Sequence, residues 1–169
     1  MTGPLGAAAR LRAWAGKRER FIWAVVVALV MSVQWPMLKG MYYRAADVPA
    51  PPTSIQWRTD LASALVEAQR TNKPVLVDFS ADWCAPCIVM KHDVWPDRAV
   101  AAAVSQSYVP LLIDVDREST VAEQYRVNGI PTVLVLDARG RVIRRGSFLS
   151  ASGMRQFLKT NQPHAAGGE

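Results

Sequence analysis

The two cysteines of the chain are the residues whose type and spacing most clearly indicate chemistry. Cys84 and Cys87 stand three positions apart, where an apolar run gives way to a predicted helix. A helix N-terminus carries unpaired N–H groups and a partial positive charge, which stabilise a thiolate relative to the thiol. Cys87 lies on the same helical face as Cys84, and Pro86 fits the first turn because its missing N–H would be unpaired there anyway. The spacing therefore predicts two-electron thiol chemistry, with Cys84 as the nucleophile and Cys87 as the resolving thiol.

Cysteine pairs at this spacing also occur in structural zinc sites and in haem attachment sequences. Zinc sites usually have four Cys or His ligands, and the chain offers only His92 and His164 besides its two cysteines. His92 lies about 140° around a continuing helix from Cys87, and His164 belongs to a Gly-rich tail. Haem attachment requires a histidine directly after the second cysteine, where this chain has Ile88. The sequence thus predicts no metal site and no cofactor beyond a redox-active disulfide between Cys84 and Cys87.

The positive charge of the chain is concentrated near its N-terminus. The 169 residues carry a formal net charge of +6. Residues 1–46 contain seven Lys or Arg and one acidic residue, which leaves thirteen basic and thirteen acidic residues from residue 47 onward. The larger part of the chain is therefore neutral, and nucleic-acid binding loses its main electrostatic support.

An uncharged apolar run at residues 21–38 follows a basic stretch at residues 1–20 and predicts a transmembrane anchor. A helix of this length spans about 27 Å, close to a hydrocarbon core of about 30 Å. The excess of basic residues before the run predicts a cytoplasmic N-terminus, with the cysteines on the other side of the membrane. A cleaved secretory signal is the alternative, although the run is long for one and lacks a well-placed small-residue cleavage site. A buried core helix is disfavoured because the run has no polar face.

The elements that must position the cysteines follow a Pro-rich linker, predicted as an extended spacer over residues 39–56. From residue 57 to residue 160, helical and strand periodicities alternate, and a flexible tail is predicted over residues 161–169. Strands are predicted at residues 74–79, 108–115, 132–136 and 142–148, and helices are predicted to start near Asp60, Cys84, Asp97, Ser119 and Ser150. This order predicts an α/β sandwich with a mixed central sheet and flanking helices.

Two motifs within this order resemble the thioredoxin superfamily over about residues 57–160. One is the strand containing Asp78 followed by Ala-Asp-Trp-Cys-Ala-Pro-Cys at residues 81–87, and the other is Gly-Ile-Pro-Thr at residues 129–132. Their wording is most similar to membrane-anchored periplasmic thioredoxin-like proteins and to the C-terminal domain of the thiol-disulfide interchange protein DsbD. The resemblance implies a thioredoxin-like fold preceded by one transmembrane helix, in a single-pass protein of the bacterial inner membrane with a periplasmic C-terminal domain.

The resemblance also implies roles for individual residues. Asp78 matches a buried acid that accepts the proton of the resolving cysteine, and the alternative is an acid that faces water at the end of its strand. Pro131 would follow a cis peptide bond close to the Cys84 sulfur. The substrate would contact Ile130, Thr132 and Trp83, although Trp83 is equally well interpreted as a packing residue.

The chain departs from the family pattern at two positions. Leu112 stands where thioredoxins place a lysine near the buried acid, and Ile88 replaces the lysine that commonly follows the second cysteine. The usual positive partner of Asp78 is therefore predicted to be absent.

The leading hypothesis is a membrane-tethered thiol-disulfide oxidoreductase that reduces substrate disulfides. Its predicted partners are disulfide-containing envelope proteins and a membrane electron donor of the DsbD type, because an oxidising envelope would otherwise leave the pair as a disulfide. The alternatives are an oxidase or isomerase of the same fold, a redox-inactive binding module, and a copper chaperone that uses both thiolates.

Overall fold

The computed structural model describes the backbone of residues 5–159 and the side chains of residues 19–159. The tail predicted at residues 161–169 lies outside the described residues, as do the basic side chains before residue 19. The chain divides into two compact units, Met1–Leu38 and Lys39–Glu169.

A long helix, α1, has the bounds Leu5–Ala45. The larger part of this helix belongs to the first unit, and its last residues, from Lys39 onward, belong to the second. Its stretch Glu19–Ala45 has the length and composition of a membrane span, with a mean hydropathy of 2.0 over its most apolar window. The large apolar side chains of this stretch are mostly exposed, as Phe21, Trp23 and Val33 illustrate. An apolar surface of this extent requires a non-aqueous environment or a partner protein.

The segment that follows residues 21–38 is helical at its start and packed at its end. Helix α1 continues to Ala45, Ile55 is buried, and the Thr53 hydroxyl donates a hydrogen bond to the Trp95 carbonyl at 2.8 Å. The prediction of an extended spacer over residues 39–56 therefore does not describe the two ends of this segment. Prolines favour an extended chain locally, but burial of Ile55 and the contacts of Thr53 hold the segment against the rest of the second unit.

The second unit is built around a four-stranded mixed sheet in the order β2-β1-β3-β4. The strands are β1 (Val75–Ser80), β2 (Val109–Asp114), β3 (Thr132–Leu136) and β4 (Val142–Gly146). Strand β1 pairs in parallel with β2 and antiparallel with β3, and β3 pairs antiparallel with β4. The first five residues of β1 are all buried, as expected of a central strand covered on both faces.

Five helices flank this sheet in the second unit: α2 (Leu61–Thr71), α3 (Ala85–Asp93), α4 (Arg98–Ser107), α5 (Ser119–Gln124) and α6 (Ala151–Lys159). Asp60 and Asp97 are the N-caps of α2 and α4, because their carboxylates accept backbone N–H groups of the first turn. The predicted cap at Ser119 is wrong, since Glu118 occupies the N-cap of α5 and makes no side-chain cap hydrogen bond.

Alternate residues of β1 point into two separate core layers. Leu76 faces buried residues of α3, α4 and α6, whereas Val75 and Val77 face those of α2 and α5. Because side chains alternate along a strand, Asp78 lies on the same face as Leu76 and points toward the layer that contains α3. The α/β fold with a mixed central sheet is confirmed, and it brings the acid of β1 and the cysteines of α3 to the same face.

Candidate active site

The cysteines form a disulfide at the N-terminus of α3. Cys84 is the N-cap residue rather than the first helical residue, and its sulfur accepts a hydrogen bond from the Cys87 backbone N–H at 3.2 Å. Both cysteines are buried, and Pro86 stands in the first turn. In the reduced protein, the same N–H and the positive end of the helix would stabilise a thiolate on Cys84.

The loop before β3 lies beside this pair. Ile130 packs against the buried cluster formed by Ala81 and the two cysteines, and the Ile130–Pro131 peptide bond is cis. The Thr132 hydroxyl donates to the Gly129 carbonyl at 2.6 Å, so it closes the loop on itself. Thr132 is buried, and its hydroxyl is thus engaged inside the protein.

Trp83 directly precedes the pair and is exposed. The relative solvent accessibility of this residue is 56%. Its indole N–H donates to a carboxylate oxygen of Asp116 at 2.8 Å. A large apolar side chain that is exposed yet held in place is available as a contact surface beside the disulfide.

Asp78 is buried in β1, and its carboxyl group accepts a single hydrogen bond from the described residues. Its Oδ2 atom accepts the indole N–H of Trp95 at 2.9 Å, while Oδ1 has no partner among the described residues. Burial raises the pKa of Asp78 to about 7, and the Trp95 hydrogen bond opposes this rise. An acid at the strand end that faces water is therefore contradicted, because Asp78 is only 5% exposed.

Asp78 and Cys87 line one cleft of about 240 Å³. Apolar side chains form most of the remaining wall and include Trp95, Trp57, Ile88 and Leu112, and its charged side chains are Asp82, Lys91 and Asp114. The two positions at which the sequence lacks the family's lysines therefore present apolar side chains to this cleft. A carboxyl group and a sulfur atom that share an apolar cleft can exchange a proton directly or through water.

Two features of the site were missed by sequence reasoning. One is Trp95, for which no role was predicted, although an aromatic residue next to a proline between two apolar helices was a usable signal for burial. The other feature is the end of α1, which packs on α3 within the second unit. No local pattern indicated that contact.

The contact between α1 and α3 involves both polar and aromatic groups. The Tyr43 ring stacks on His92 at 4.2 Å, and the Tyr43 hydroxyl donates to Asp93 at 3.1 Å. The Lys39 ammonium forms an ion pair with Asp93 at 2.5 Å. Partial burial lowers the pKa of His92. The histidine considered as a possible zinc ligand is thus packed against a tyrosine, and the described residues contain no group of His, Cys, Asp or Glu side chains that could hold a metal ion.

Comparisons with known proteins agree with this geometry. Residues 56–138 match a family model described as thioredoxin-like. A thioredoxin of Pyropia yezoensis is 36% identical over 89 residues, which are 53% of this chain and 79% of that protein. The thiol:disulfide interchange protein DsbD of Vibrio vulnificus is 35% identical over 104 residues, which are 59% of this chain but 17% of that protein.

Among solved structures, the C-terminal domain of Neisseria meningitidis DsbD in the reduced form is similar. It is 27% identical with a TM-score of 0.53, and the match covers 60% of this chain and 94% of that domain. Thioredoxin-like proteins use a redox-active disulfide rather than a separate cofactor, and this chain has such a disulfide at Cys84 and Cys87. The chain belongs to the thioredoxin-like family of thiol-disulfide oxidoreductases.

Proposed function

We propose that this protein is a membrane-tethered oxidoreductase that reduces disulfides of envelope proteins through Cys84 and Cys87. The observation that carries the proposal is the position of the pair at a helix N-terminus, with Cys87 in one cleft with the buried acid Asp78. The apolar surface of the Glu19–Ala45 stretch supports a membrane tether. The basic residues that precede it support a cytoplasmic N-terminus and a periplasmic domain.

The reaction would begin with the reduced pair. The Cys84 thiolate attacks one sulfur of a substrate disulfide, which forms a mixed disulfide and releases the other substrate sulfur as a thiolate that takes up a proton. Asp78 then accepts the proton of the Cys87 thiol. The Cys87 thiolate attacks the Cys84 sulfur, which forms the Cys84–Cys87 disulfide and releases the second substrate thiolate. Two electrons pass from the pair to the substrate, and a dithiol donor must return them.

The environment of Asp78 suits its role as a proton acceptor. A carboxyl group with a pKa of about 7 is partly ionised at neutral pH, so it can take a proton and later return it to solvent. A carboxyl group with an ordinary pKa would be a much weaker base for a thiol. The apolar walls at Ile88 and Leu112 keep this pKa high.

The substrate surface would consist of Trp83, Ile130 and the cis-proline loop at Pro131. Trp83 is exposed beside the pair, and Ile130 packs on the cysteine cluster. A substrate strand would pair with the backbone of Ile130, with Trp83 as an apolar platform. The similarity to DsbD supports a membrane dithiol donor of that type as the source of electrons.

Reduction of insulin by dithiothreitol, with the full chain in detergent, tests the activity. The wild-type chain should accelerate insulin precipitation and Cys84→Ser should not. Equilibration with glutathione buffers then tests the direction, since a reductase should have a potential near the thioredoxin value of about −270 mV. A potential near −120 mV would instead indicate an oxidase. Protease accessibility of the domain in sealed spheroplasts tests its location.

A further inference from the structure

Trp95 supplies the only hydrogen bond that the carboxyl group of Asp78 accepts from the described residues. The indole Nε1 lies 2.9 Å from Asp78 Oδ2, and both side chains are about 95% buried. An indole N–H can donate but cannot accept, and it stays neutral at every pH relevant to the protein. The acid of β1 is therefore held by a neutral donor.

The two carboxyl oxygens of Asp78 differ in their hydrogen bonding. Oδ2 is engaged by Trp95, whereas Oδ1 is buried without a partner. Asp78 and Cys87 line the same cleft, and Oδ1 is the Asp78 oxygen that accepts no hydrogen bond from the described residues. An unpartnered oxygen in a buried site is unusual and often marks a functional group.

Residues of the segment before α2 hold Trp95 in this position. The Thr53 hydroxyl donates to the Trp95 carbonyl at 2.8 Å, and the Trp57 ring meets the Trp95 ring edge-on at 5.1 Å. The Trp95 backbone N–H donates to the Met90 carbonyl at 3.0 Å, which anchors it to the end of α3. Contacts on the backbone and on the ring thus restrict the indole to one orientation.

We propose that Trp95 is a positioning residue that binds Asp78 Oδ2 and favours its ionised form, which leaves Oδ1 to accept the proton of Cys87. The inference rests on the proposed function for the proton transfer itself, whereas the link between Trp95 and the ionisation of Asp78 stands on geometry alone. A hydrogen bond from a donor is stronger to a carboxylate than to a neutral carboxyl group, so its loss shifts the acid toward the protonated form.

Trp95→Phe removes the donor and keeps most of the apolar volume. Trp83→Phe is the matched control, because the Trp83 indole donates to Asp116 and Trp83 does not line the cleft of Asp78. The pH midpoint of Asp78 is read from its side-chain carbonyl carbon shift in the oxidised full chain, which requires no turnover. Trp95→Phe should raise this midpoint by about one pH unit. Trp83→Phe should leave it unchanged. An unchanged midpoint in Trp95→Phe would overturn the proposal.

The rate of mixed-disulfide resolution separates positioning from packing. At pH 7, Trp95→Phe should slow resolution about fivefold, since a midpoint one unit higher leaves about a tenth of the acid ionised instead of about half. In an Asp78→Asn background, the same substitution should cause no further loss. An equal loss in both backgrounds would assign Trp95 to packing and contradict the proposal. If the chain catalyses no disulfide exchange, the proposed function fails while the midpoint measurement still decides the role of Trp95.

The wild-type chain offers a readout if Trp95→Phe does not fold. Among its six tryptophans, the chemical shift of the Trp95 indole N–H proton should change with pH at the midpoint of the Asp78 carbonyl carbon. The chemical shift of the Trp83 indole, which donates to Asp116, should not change at that midpoint. If the chemical shift of the Trp95 indole proton does not change with pH across this midpoint, the assignment is overturned.

Discussion

Asp78 in β1 is paired with Leu112 in β2, so the neighbouring strand presents an apolar side chain beside the buried acid. Residues in register on parallel strands point to the same face of the sheet, and both of these residues line the cleft. No positive charge from this position offsets the ionisation of Asp78. The free energy needed to place a carboxylate there is reflected in its pKa of about 7.

Asp78→Asn should increase the free energy of unfolding relative to wild type, and the increase should grow with pH. The folded wild type keeps the Asp78 proton up to about pH 7, whereas the unfolded chain releases it near pH 3.8. The stability associated with this group is therefore full below pH 3.8 and is lost as the pH rises to about 7. The difference between these two pKa values corresponds to about 4 kcal/mol in the free energy of unfolding.

Urea unfolding of the oxidised full chain at pH 4 and pH 8 measures this difference. Asp82→Asn is the matched control, because Asp82 is an exposed acid close to the same disulfide. The control should show no comparable growth of its stability difference with pH. A stability difference for Asp78→Asn that is equal at both pH values would contradict the burial argument.

Cys87→Ser should stop the reaction after its first step. Cys84 can still attack a substrate disulfide, but no thiol remains at position 87 to release the product, so mixed disulfides accumulate. Non-reducing electrophoresis followed by mass spectrometry of the trapped species identifies the substrates. The double variant Cys84→Ser/Cys87→Ser should trap nothing. Equal trapping by the single variant Cys84→Ser would mean that the nucleophile is wrongly assigned.

Local patterns predicted the parts of the site that depend on neighbouring residues. The position of Cys84 at a helix start and the continuous burial of β1 follow from spacing and from an apolar run. The hydrogen bond between Trp95 and Asp78 joins residues 17 positions apart on different elements. Periodicity assigns a face to each element but does not define which side chains meet between them, so this bond could not be predicted.

The same limit explains why the structured ends of the predicted spacer could not be recognised. Proline content describes the conformational preference of residues 49–54 by themselves, whereas Ile55 gains more by burial in the core shared by α3, α4 and α6. The stacking of Tyr43 on His92 likewise depends on how α1 ends, which no local pattern near residue 43 indicates.

Gly40→Val should separate the end of α1 from α3. Gly40 is buried, and a Cβ atom at this position would overlap the backbone carbonyl of Ala85, which stands between the two cysteines. Because the obstacle is backbone, α1 must move, and the Tyr43 stacking on His92 should be lost with it. The expected cost is about 1–3 kcal/mol in the free energy of unfolding.

Thermal melting of the full chain in detergent measures the cost of Gly40→Val. Met41→Val is the matched control, since it introduces the same side chain at the next position of the same helix, where Met41 is exposed. The control should melt close to wild type. If both variants have the same melting temperature, close packing at Gly40 is not what holds the end of α1 on α3.

Trp83→Ala should weaken the use of protein disulfides without changing the chemistry of the pair. The exposed indole can contact a bound polypeptide, but a small disulfide such as oxidised glutathione is too short to depend on that surface in the same way. The KM for insulin should therefore rise, while the rate with oxidised glutathione and the free energy of unfolding should change little. Steady-state kinetics with both substrates measures this difference.

The hydrogen bond between Trp83 and Asp116 permits a graded test of the same surface. Asp116→Asn keeps an oxygen that can accept the indole N–H, whereas Asp116→Ala removes it, so the indole loses its fixed orientation only in the second variant. The KM for insulin should increase in the order wild type, Asp116→Asn, Asp116→Ala and Trp83→Ala. Equal losses with insulin and oxidised glutathione would show that Trp83 supports the structure of the pair rather than the binding of a protein substrate.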